Sequence, residues 1–359
     1  MKKKILITAY DLNIGGIEKA LVNFLNSFDA KKYDITLILE HKEGPLLNEV
    51  INNINIEEYR VSNSTNTIKR KVNNRIKLIK WIAKNKEKYD FAISFATHSR
   101  PGALLALNAS KNNALWVHLN YYESYNHNIN KMNNFFKSIN ISKFKNVIFV
   151  SNENKNDIIN HTNLIKGKVW VINNLINADE IIKKSKEAIN IKKDNKITFV
   201  NVSRHEESQK KLFRILKATK KLKNEGYDFN ILMIGYGPDH NSYVNYVNKN
   251  NLNNVISFYG KQSNPYPYYK MADAILISSQ YEGYPVVFVE SMVLNKPIIT
   301  TAISDYKEVE NGYGIVVKND DNSIYDGMKE FLDNGYKIKK KFDSKKFNND
   351  QIEKLKKVF

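Results

Sequence analysis

The feature that most constrains the fold is a repeated alternation of short apolar runs with amphipathic segments. Near the N-terminus, "KILITAY" has the pattern of a buried strand, and a Gly-Gly turn and the helical run "IEKALVNFLNSF" follow it. Further strand-like runs are "YDITLILE", "YDFAISFAT", "NALWVHL", "NVIFVSN" and "KVWVINN". Because parallel strands need long crossover connections, this alternation predicts an α/β fold with a parallel sheet covered by helices on both faces.

A second series of the same kind begins at "KITFVNVSR" and continues through "FNILMIGYG", "VISFYG", "DAILISS" and "PIITTA". The charged segment between the two series has no strand pattern, which is typical of a linker. At 359 residues the chain also exceeds the usual size of a single core. We therefore predict an N-terminal domain over 1–177, a linker over 178–195 and a C-terminal domain over 196–343. A helix over 344–359 is a candidate to pack back on the first domain.

Composition restricts the class of protein. The chain has no cysteine, so disulfides and thiolate metal sites are excluded. The N-terminal apolar run is shorter than a signal peptide requires, and no run approaches the ~18 residues of a membrane span. We expect a cytoplasmic protein, either free or peripheral at the inner face of the membrane. The net charge of +19 favours an anionic partner such as a phosphate group, a nucleic acid or an anionic membrane surface.

Two motifs have the residues to bind an anion. In "AYDLNIGGIEKAL", Gly15 and Gly16 allow backbone amides at a helix N-terminus to approach a phosphate, although a glycine pair also serves a plain strand-to-helix turn. In "NVSRHEESQKKLFRIL", Arg204 follows a strand and Lys210 begins a helix. Both cations are thus expected at the carboxyl edge of a sheet, where open α/β folds bind ligands, and together they suit a diphosphate. The alternative is that Arg204 and Lys210 are ordinary surface residues in contact with water.

The stretch "SSQYEGYPVVFVESMVLNKPIITT" places Glu282 on a loop and Glu290 on the following helix. Ionised carboxylates accept several hydrogen bonds, which suits the hydroxyls of a sugar or ribose. The alternative is a helix-start acid at Glu282 and a solvated Glu290. Paired carboxylates also occur in glycoside hydrolases, but a hydrolase has no use for phosphate-binding cations. Neither an Asp-x-Asp pair nor a close histidine cluster is present, so we expect no metal.

Together these motifs resemble a retaining glycosyltransferase of family 4, of the bacterial cell-surface or capsular polysaccharide type. The resemblance covers most of the chain and rests on "GGIEKAL", "SRHEESQKKLFRILKA", "MIGYGP", "ISFYGK" and the E-x7-E spacing from Glu282 to Glu290. It implies the GT-B architecture, in which two Rossmann-like domains present parallel sheets to a central cleft. It also implies a nucleotide-diphosphate sugar as donor, a UDP-sugar by default, and no metal or other cofactor.

The resemblance implies a role for each matching residue. Gly15 and Gly16 would contact the donor phosphate or sugar, Glu18 would lie near the acceptor, and His118 in "LWVHLNYY" would lie beside the donor sugar. Arg204 and Lys210 would neutralise the leaving diphosphate, Glu290 would hold the ribose, and Glu282 would face the hexose. Other residues implied to border the nucleotide sugar are Tyr236, Gly237, Lys261, Gly283, Tyr284 and Pro285. The chain departs from the family pattern at Lys211, Ser291 and Asn295, where Gly, Ala and Gly are frequent.

The implied reaction moves a hexose or N-acetylhexosamine to a glycan or lipid-linked glycan acceptor in cell-surface polysaccharide synthesis. One alternative is a GT-B-like protein that binds nucleotide sugars with altered activity, and release of the nucleotide would separate the two. A basic nucleic-acid-binding protein is a third class. The aromatic residues, however, fall within apolar strands and helices and no nucleic-acid motif is present, so we expect no nucleic acid. The sequence does not indicate an oligomeric state.

The stretch "TIKRKVNNRIKLIKWIAKNKEK" predicts a basic amphipathic helix. Its apolar stripe consists of Ile68, Val72, Ile76, Ile79 and Ala83, and seven basic residues surround it, namely Lys69, Arg70, Lys71, Arg75, Lys77, Lys80 and Lys84. Two interpretations stay open. In one, the stripe packs against the first domain's sheet and the lysines face water. In the other, the cationic face lies on an anionic membrane, with Trp81 as an interfacial anchor.

Overall fold

The computed structural model describes residues 2–51, 53–59, 62, 64–191 and 193–359. The chain forms two compact units. The first comprises Met1–Leu175 and Phe347–Phe359, and the second comprises Ile176–Lys346. Each unit is built around one sheet in which every strand pairing is parallel. The predicted α/β class with two parallel sheets is confirmed.

The first unit has a seven-stranded sheet with the strand order β3-β2-β1-β4-β5-β6-β7. The strands are β1 (Lys3–Ala9), β2 (Tyr33–Leu39), β3 (Asn55–Glu58), β4 (Phe91–Ser94), β5 (Asn113–Val117), β6 (Asn146–Phe149) and β7 (Lys168–Val171). The helices are α1 (Gly16–Asn26), α2 (Thr67–Asn85), α3 (Arg100–Ala109), α4 (Tyr121–Ser124), α5 (Ile129–Ser138) and α6 (Asn152–Ile159), with 3-10 turns over Pro45–Glu49 and Ile141–Lys143. The central strands β4, β5 and β6 are buried throughout, as expected for a sheet covered on both faces.

The second unit has a six-stranded sheet with the order β10-β9-β8-β11-β12-β13. The strands are β8 (Ile197–Val202), β9 (Phe229–Ile234), β10 (Ile256–Gly260), β11 (Ala274–Ile277), β12 (Ile298–Thr301) and β13 (Gly314–Val317). The helices are α7 (Ala178–Lys184), α8 (Glu207–Lys210), α9 (Leu212–Asn224), α10 (His240–Lys249), α11 (Tyr266–Met271), α12 (Val286–Val293), α13 (Tyr306–Glu310) and α14 (Ser323–Asn334). Helices α9 and α14 pack on each other above a core that includes Phe199, Phe229 and Phe331.

Three elements differ from the pattern in the sequence. The edge strands β3 and β13 were not predicted, because their pairing with β2 and β12, and not a pattern of their own, makes them strands. Helix α7 begins the segment 178–195 that we predicted as a linker, and it packs on α11 and α12 within the second unit.

The C-terminal helix α15 (Ser344–Val358) ends against the first unit, where the ring of Phe359 lies 4.8 Å from that of Phe91.

Helix α2 forms as predicted, but its apolar stripe is not buried. Ile68, Val72, Ile76 and Ile79 are exposed by 76%, 51%, 45% and 57%. The helix is instead attached to the first unit through its other side, where Leu78 and Trp81 pack against the hydrophobic core. The interpretation that the stripe packs on the sheet is therefore wrong, as is the assignment of Trp81 as a membrane anchor. No helix in the described ranges combines the length and apolarity needed to cross a membrane.

Two of the three departures from the family pattern fall on backbone positions that favour glycine. Lys211, between α8 and α9, has φ +51°, and Asn295, after α12, has φ +53°. Both are left-handed conformations, which cost an L-residue roughly 1–2 kcal/mol. At both positions a non-glycine residue adopts this conformation.

Candidate functional site

The candidate site of the second unit lies at the carboxyl edge of its sheet. Strands β9, β8 and β11 are neighbours in this sheet and run parallel, so the loops that leave them emerge side by side. The loop after β8 carries Arg204 and leads into α8, the loop after β9 carries Tyr236 and Gly237, and the loop after β11 carries Glu282. Open parallel sheets bind ligands at this edge.

Lys210 and Glu282 form an ion pair in the middle of this edge. Lys210 Nζ lies 2.5 Å from Glu282 Oε1, and the two side chains are only 20% and 13% exposed. Ser279 Oγ donates to the same carboxylate oxygen at 2.7 Å, and Gln209 Nε2 donates to Oε2 at 3.2 Å. A cation and a carboxylate are therefore held together, largely out of water, by residues from α8 and from the loop after β11.

Arg214 fixes the loop that carries Glu282, and sequence analysis missed it. Its side chain is 4% exposed, and its guanidinium donates to the carbonyl of Ser278 at 3.1 Å and to Gln280 Oε1 at 2.7 Å. Further bonds reach Asp321 at 3.1 Å and Asn319 at 2.7 Å. The sequence did contain a signal for this role, because "KLFRIL" places an arginine on the apolar face of a helix. A buried arginine needs hydrogen-bond or ion-pair partners, so such a position predicts a polar network around it.

Glu290 lies on α12 and is 9% exposed, so the interpretation of a solvated helix residue is wrong. Its Oε1 accepts from the Tyr266 hydroxyl at 3.1 Å and its Oε2 accepts from the Tyr269 hydroxyl at 2.8 Å. The two tyrosine hydroxyls therefore hold the Glu290 carboxylate from two sides. The two tyrosines were not predicted, although "PYPYYKMA" places both of them in one short helix.

Arg204 and Tyr236 are more exposed than the ion pair. The Arg204 side chain is 64% exposed, and its Nη2 lies 2.5 Å from Glu206 Oε2. Tyr236 is 58% exposed and its ring lies 4.7 Å from that of His240. The β9 loop crosses the β8 loop so closely that a Cβ at Gly237 would collide with the backbone of His205. Only glycine fits this crossing.

His205 and His240 form a contact beside this crossing that sequence analysis also missed. Their Nδ1 atoms lie 2.8 Å apart, so one ring donates to the other. Burial, followed by the charge of His240, lowers the pKa of His205 to about 4. Of the other predicted residues, Gly283 and Tyr284 are buried, Pro285 is the residue before α12, and Lys261 is exposed after β10.

The first unit carries Gly15, Gly16, Glu18 and His118 at the carboxyl edge of its own sheet. Gly15 precedes α1 in an extended conformation, and a Cβ on it would overlap the carboxylate of Glu18. Glu18 thus lies over the helix N-terminus, where the helix dipole favours a negative charge.

His118 follows β5 and is 7% exposed, with its ring 4.4 Å from that of Phe95. Neither ring nitrogen has a hydrogen-bond partner in the described part of the chain. Burial, with a smaller effect from the charge of His98, lowers the pKa of His118 to about 3. The ring is therefore neutral near pH 7 and can accept or donate one hydrogen bond without carrying a charge. Among the described residues, no group of three histidine, cysteine or acidic side chains is arranged to hold a metal ion.

Both units match sequence profiles of known protein families. Residues 14–180 match the sequence profile described as Glycosyltransferase Family 4, and residues 182–349 match that of glycosyl transferases group 1. The chain is 28% identical to an uncharacterized glycosyltransferase of Methanocaldococcus jannaschii over 52% of this chain and 47% of that protein. It is 24% identical over 62% of this chain to a Campylobacter jejuni N-acetylgalactosamine-N,N'-diacetylbacillosaminyl-diphospho-undecaprenol 4-alpha-N-acetylgalactosaminyltransferase, of which it covers 61%. The matches thus span about half to three fifths of these curated relatives.

Among solved structures, HepE of Anabaena in complex with UDP and glucose superimposes with a TM-score of 0.76 at 17% identity, over 99% of both chains. The fold is therefore that of the GT-B glycosyltransferases. Since the two profiles together run through nearly the whole chain, the protein belongs to the glycosyltransferases whose N-terminal part is of family 4 and whose C-terminal part is of group 1. The resemblance seen in the sequence is confirmed at this level.

Proposed function

We propose that the protein transfers a hexose or N-acetylhexosamine from a UDP-sugar to a glycan or lipid-linked glycan acceptor, with retention of configuration, in cell-surface polysaccharide synthesis. The observation that carries the proposal is the shielded Lys210–Glu282 pair at the carboxyl edge of the second sheet. A cation there suits a departing diphosphate, and a carboxylate suits the hydroxyls of the transferred sugar. The acceptor class is supported by the Campylobacter jejuni relative, which is named for transfer to a diphospho-undecaprenol-linked sugar.

In the proposed reaction, the bond between the anomeric carbon and the diphosphate oxygen breaks while the acceptor oxygen bonds to the same face of that carbon. The acceptor's proton passes to the departing diphosphate, which leaves as UDP. Lys210 and Arg204 neutralise the negative charge that develops on the diphosphate, and no metal ion is part of the proposal. Arg204 can reorient from Glu206, because an exposed ion pair of this kind contributes little free energy.

The remaining roles concern binding. Glu290, already oriented by Tyr266 and Tyr269, would accept from the ribose hydroxyls. Tyr236, Gly237, Lys261 and the segment 283–285 would border the nucleotide sugar. In the first unit, we propose that Gly15 and Gly16 contact the donor, that Glu18 lies near the acceptor, and that His118 acts as a neutral hydrogen-bond partner of the donor sugar.

The proposal is tested by screening UDP-, GDP-, ADP- and CDP-sugars for thermal stabilisation of the purified protein, since a specific ligand raises stability by mass action. We expect one UDP-sugar to stabilise the wild type and to stabilise Lys210→Ala much less. Lys217→Ala is the matched control, because Lys217 is an exposed lysine on the adjoining helix α9. Stabilisation by no UDP-sugar, or equal stabilisation of all three proteins, would contradict the assignment.

A further inference from the structure

Helix α2 presents an exposed apolar row to solvent. Its inner side is attached to the first unit, where Leu78 and Trp81 pack on the core and the Asn74 side chain accepts from the backbone N–H of Ser62 at 2.7 Å. The outer row consists of the four exposed aliphatic residues Ile68, Val72, Ile76 and Ile79, which recur every three or four positions and so share one face. Single exposed aliphatic residues are ordinary, but a contiguous row on one helix indicates an interaction surface.

Positive charge surrounds this apolar row. Lys69, Lys80 and Lys84 lie along one flank and Lys71 and Arg75 along the other, and all five are exposed. The helix contains no acidic residue, and within the described part of the chain none of these five cations forms an ion pair. The row therefore has the composition of an interfacial helix, with aliphatic residues in the centre and unpaired cations at the margins.

The charge pattern selects among the occupants of such a surface. A second copy of the chain that docked its own α2 here would bring lysines against lysines, and like charges facing each other cost several kcal/mol at an interface. A nucleic acid would use the cations but would leave the aliphatic row in contact with water. An anionic lipid surface satisfies both, because the headgroups meet the cations and the acyl boundary receives the aliphatic side chains.

We propose that the outer face of α2 docks the protein on an anionic lipid bilayer, with Ile68, Val72, Ile76 and Ile79 in the acyl boundary and the flanking cations on the headgroups. The helix lies in the plane of the surface and does not cross it. This inference deepens the proposed function, on which it rests for the lipid-linked acceptor, since docking would bring the first unit to the place where such an acceptor is held.

The test is cosedimentation with vesicles of phosphatidylcholine containing about 30% phosphatidylglycerol, compared with pure phosphatidylcholine. We expect the wild type to bind the anionic vesicles and not the neutral ones, and to bind more weakly when salt rises from about 0.05 M to about 0.5 M. Val72→Ser/Ile76→Ser/Ile79→Ser should lower the partition coefficient at least about tenfold, because it removes the inserted side chains. Lys69→Gln/Lys80→Gln/Lys84→Gln should lower it by about 100-fold at low salt, at about 1 kcal/mol per charge.

Lys217→Gln/Lys220→Gln/Lys249→Gln is the control for net charge, because it removes three exposed lysines from the second unit. We expect it to bind anionic vesicles as the wild type does. All substituted residues are exposed, so the folds should survive, and circular dichroism checks this. The proposal fails if the wild type ignores anionic vesicles at low salt, or if both α2 variants bind as well as the wild type. It also fails if sedimentation velocity shows a dimer that the serine variant abolishes while vesicle binding persists.

Binding of UDP, measured by calorimetry on the same proteins, separates this inference from the proposed function. We expect the α2 variants to bind UDP with wild-type affinity, because α2 belongs to the first unit and the proposed nucleotide residues belong to the second. Loss of vesicle binding with UDP binding intact supports the membrane surface. A wild type that binds UDP but no vesicles overturns this inference and leaves the proposed function standing.

Discussion

The ammonium group of Lys210 lies 2.5 Å from Oε1 of Glu282, although 72 positions separate the two residues in the chain. The pair is shielded from water, and Ser279 and Gln209 hold the carboxylate from two further directions. Each partner therefore holds the other in place before a donor arrives. Preorganised charge of this kind stabilises a transition state without reorganisation during the reaction.

The first prediction concerns the two cations proposed for the diphosphate. Lys210→Ala and Arg204→Ala should each lower kcat/KM, and the fall should correspond to a loss of about 2–4 kcal/mol of transition-state stabilisation. Each substitution removes a positive charge that lies beside the negative charge developing on the diphosphate. Steady-state kinetics of UDP release measures this, with Lys217→Ala as the control. Unchanged turnover in both variants would remove the site assignment.

The second prediction separates the two glutamates. Glu290→Gln should weaken binding of free UDP by about tenfold, which is about 1.4 kcal/mol, because it removes a charged acceptor from the ribose. Glu282→Gln should leave UDP affinity nearly intact and impair transfer. Glutamine is preferred to alanine at Glu290, since alanine would remove the whole group that accepts from the hydroxyls of Tyr266 and Tyr269. Calorimetry with UDP decides the matter, and equal losses of affinity in both variants would refute the division of roles.

The third prediction concerns backbone strain at Lys211. The φ of Lys211 is +51°, a conformation that glycine adopts without steric cost. Lys211→Gly should therefore stabilise the second unit by about 0.5–1 kcal/mol, which is the free energy of the relieved left-handed strain minus the extra conformational entropy that glycine loses on folding. Lys220→Gly, an exposed change within α9, should destabilise by about 1 kcal/mol and serves as the control. Scanning calorimetry measures both effects. A destabilised Lys211→Gly would show that contacts of the lysine side chain outweigh the backbone cost.

The fourth prediction concerns pH. The pKa of His118 in the folded protein is about 3, below the ordinary value of 6.5, so the unfolded chain binds the proton more readily. The contribution of neutral His118 to stability is complete above pH 6.5 and is lost as the pH falls toward 3, at about 1.4 kcal/mol per pH unit. His118→Phe should therefore lose less stability between pH 7 and 5 than the wild type.

Urea unfolding followed by tryptophan fluorescence measures this loss selectively, because Trp81, Trp116 and Trp170 all lie in the first unit. His127→Gln, which changes a histidine with a 58% exposed side chain, is the control and should follow the wild type. Equal acid sensitivity in the wild type and His118→Phe would show that other groups dominate the pH dependence.

Much of the fold was predictable because its signal is local. Each long strand is an apolar run bounded by turn residues, and the alternation with helices leaves a parallel sheet as the main solution. The edge strands β3 and β13 escaped notice because pairing with a neighbour, not their own pattern, makes them strands. On α2, periodicity identified an apolar stripe but could not say whether that stripe or the side with Leu78 and Trp81 meets the core.

The site was predictable in part, because the topology of a parallel sheet brings the ends of its strands together. That rule placed Arg204, Lys210 and Glu282 at one edge, as the structure has them. It could not show that Lys210 pairs with Glu282, nor that Arg204 turns to Glu206 instead. The partners Gln209, Arg214, Tyr266 and Tyr269 were missed because their roles arise from contacts between elements far apart in the chain.

The most direct test of the central claim is UDP release by the purified protein from a panel of UDP-sugars, with a glycan or undecaprenyl-diphosphate-linked acceptor, in the presence and absence of EDTA. We expect one UDP-sugar to yield UDP in an acceptor-dependent reaction that EDTA leaves unchanged, because Lys210 and Arg204 are proposed to neutralise the diphosphate. Loss of turnover in EDTA with restoration by a divalent ion would contradict the proposed role of the two cations. Binding of a UDP-sugar without UDP release under any of these conditions would contradict transfer itself.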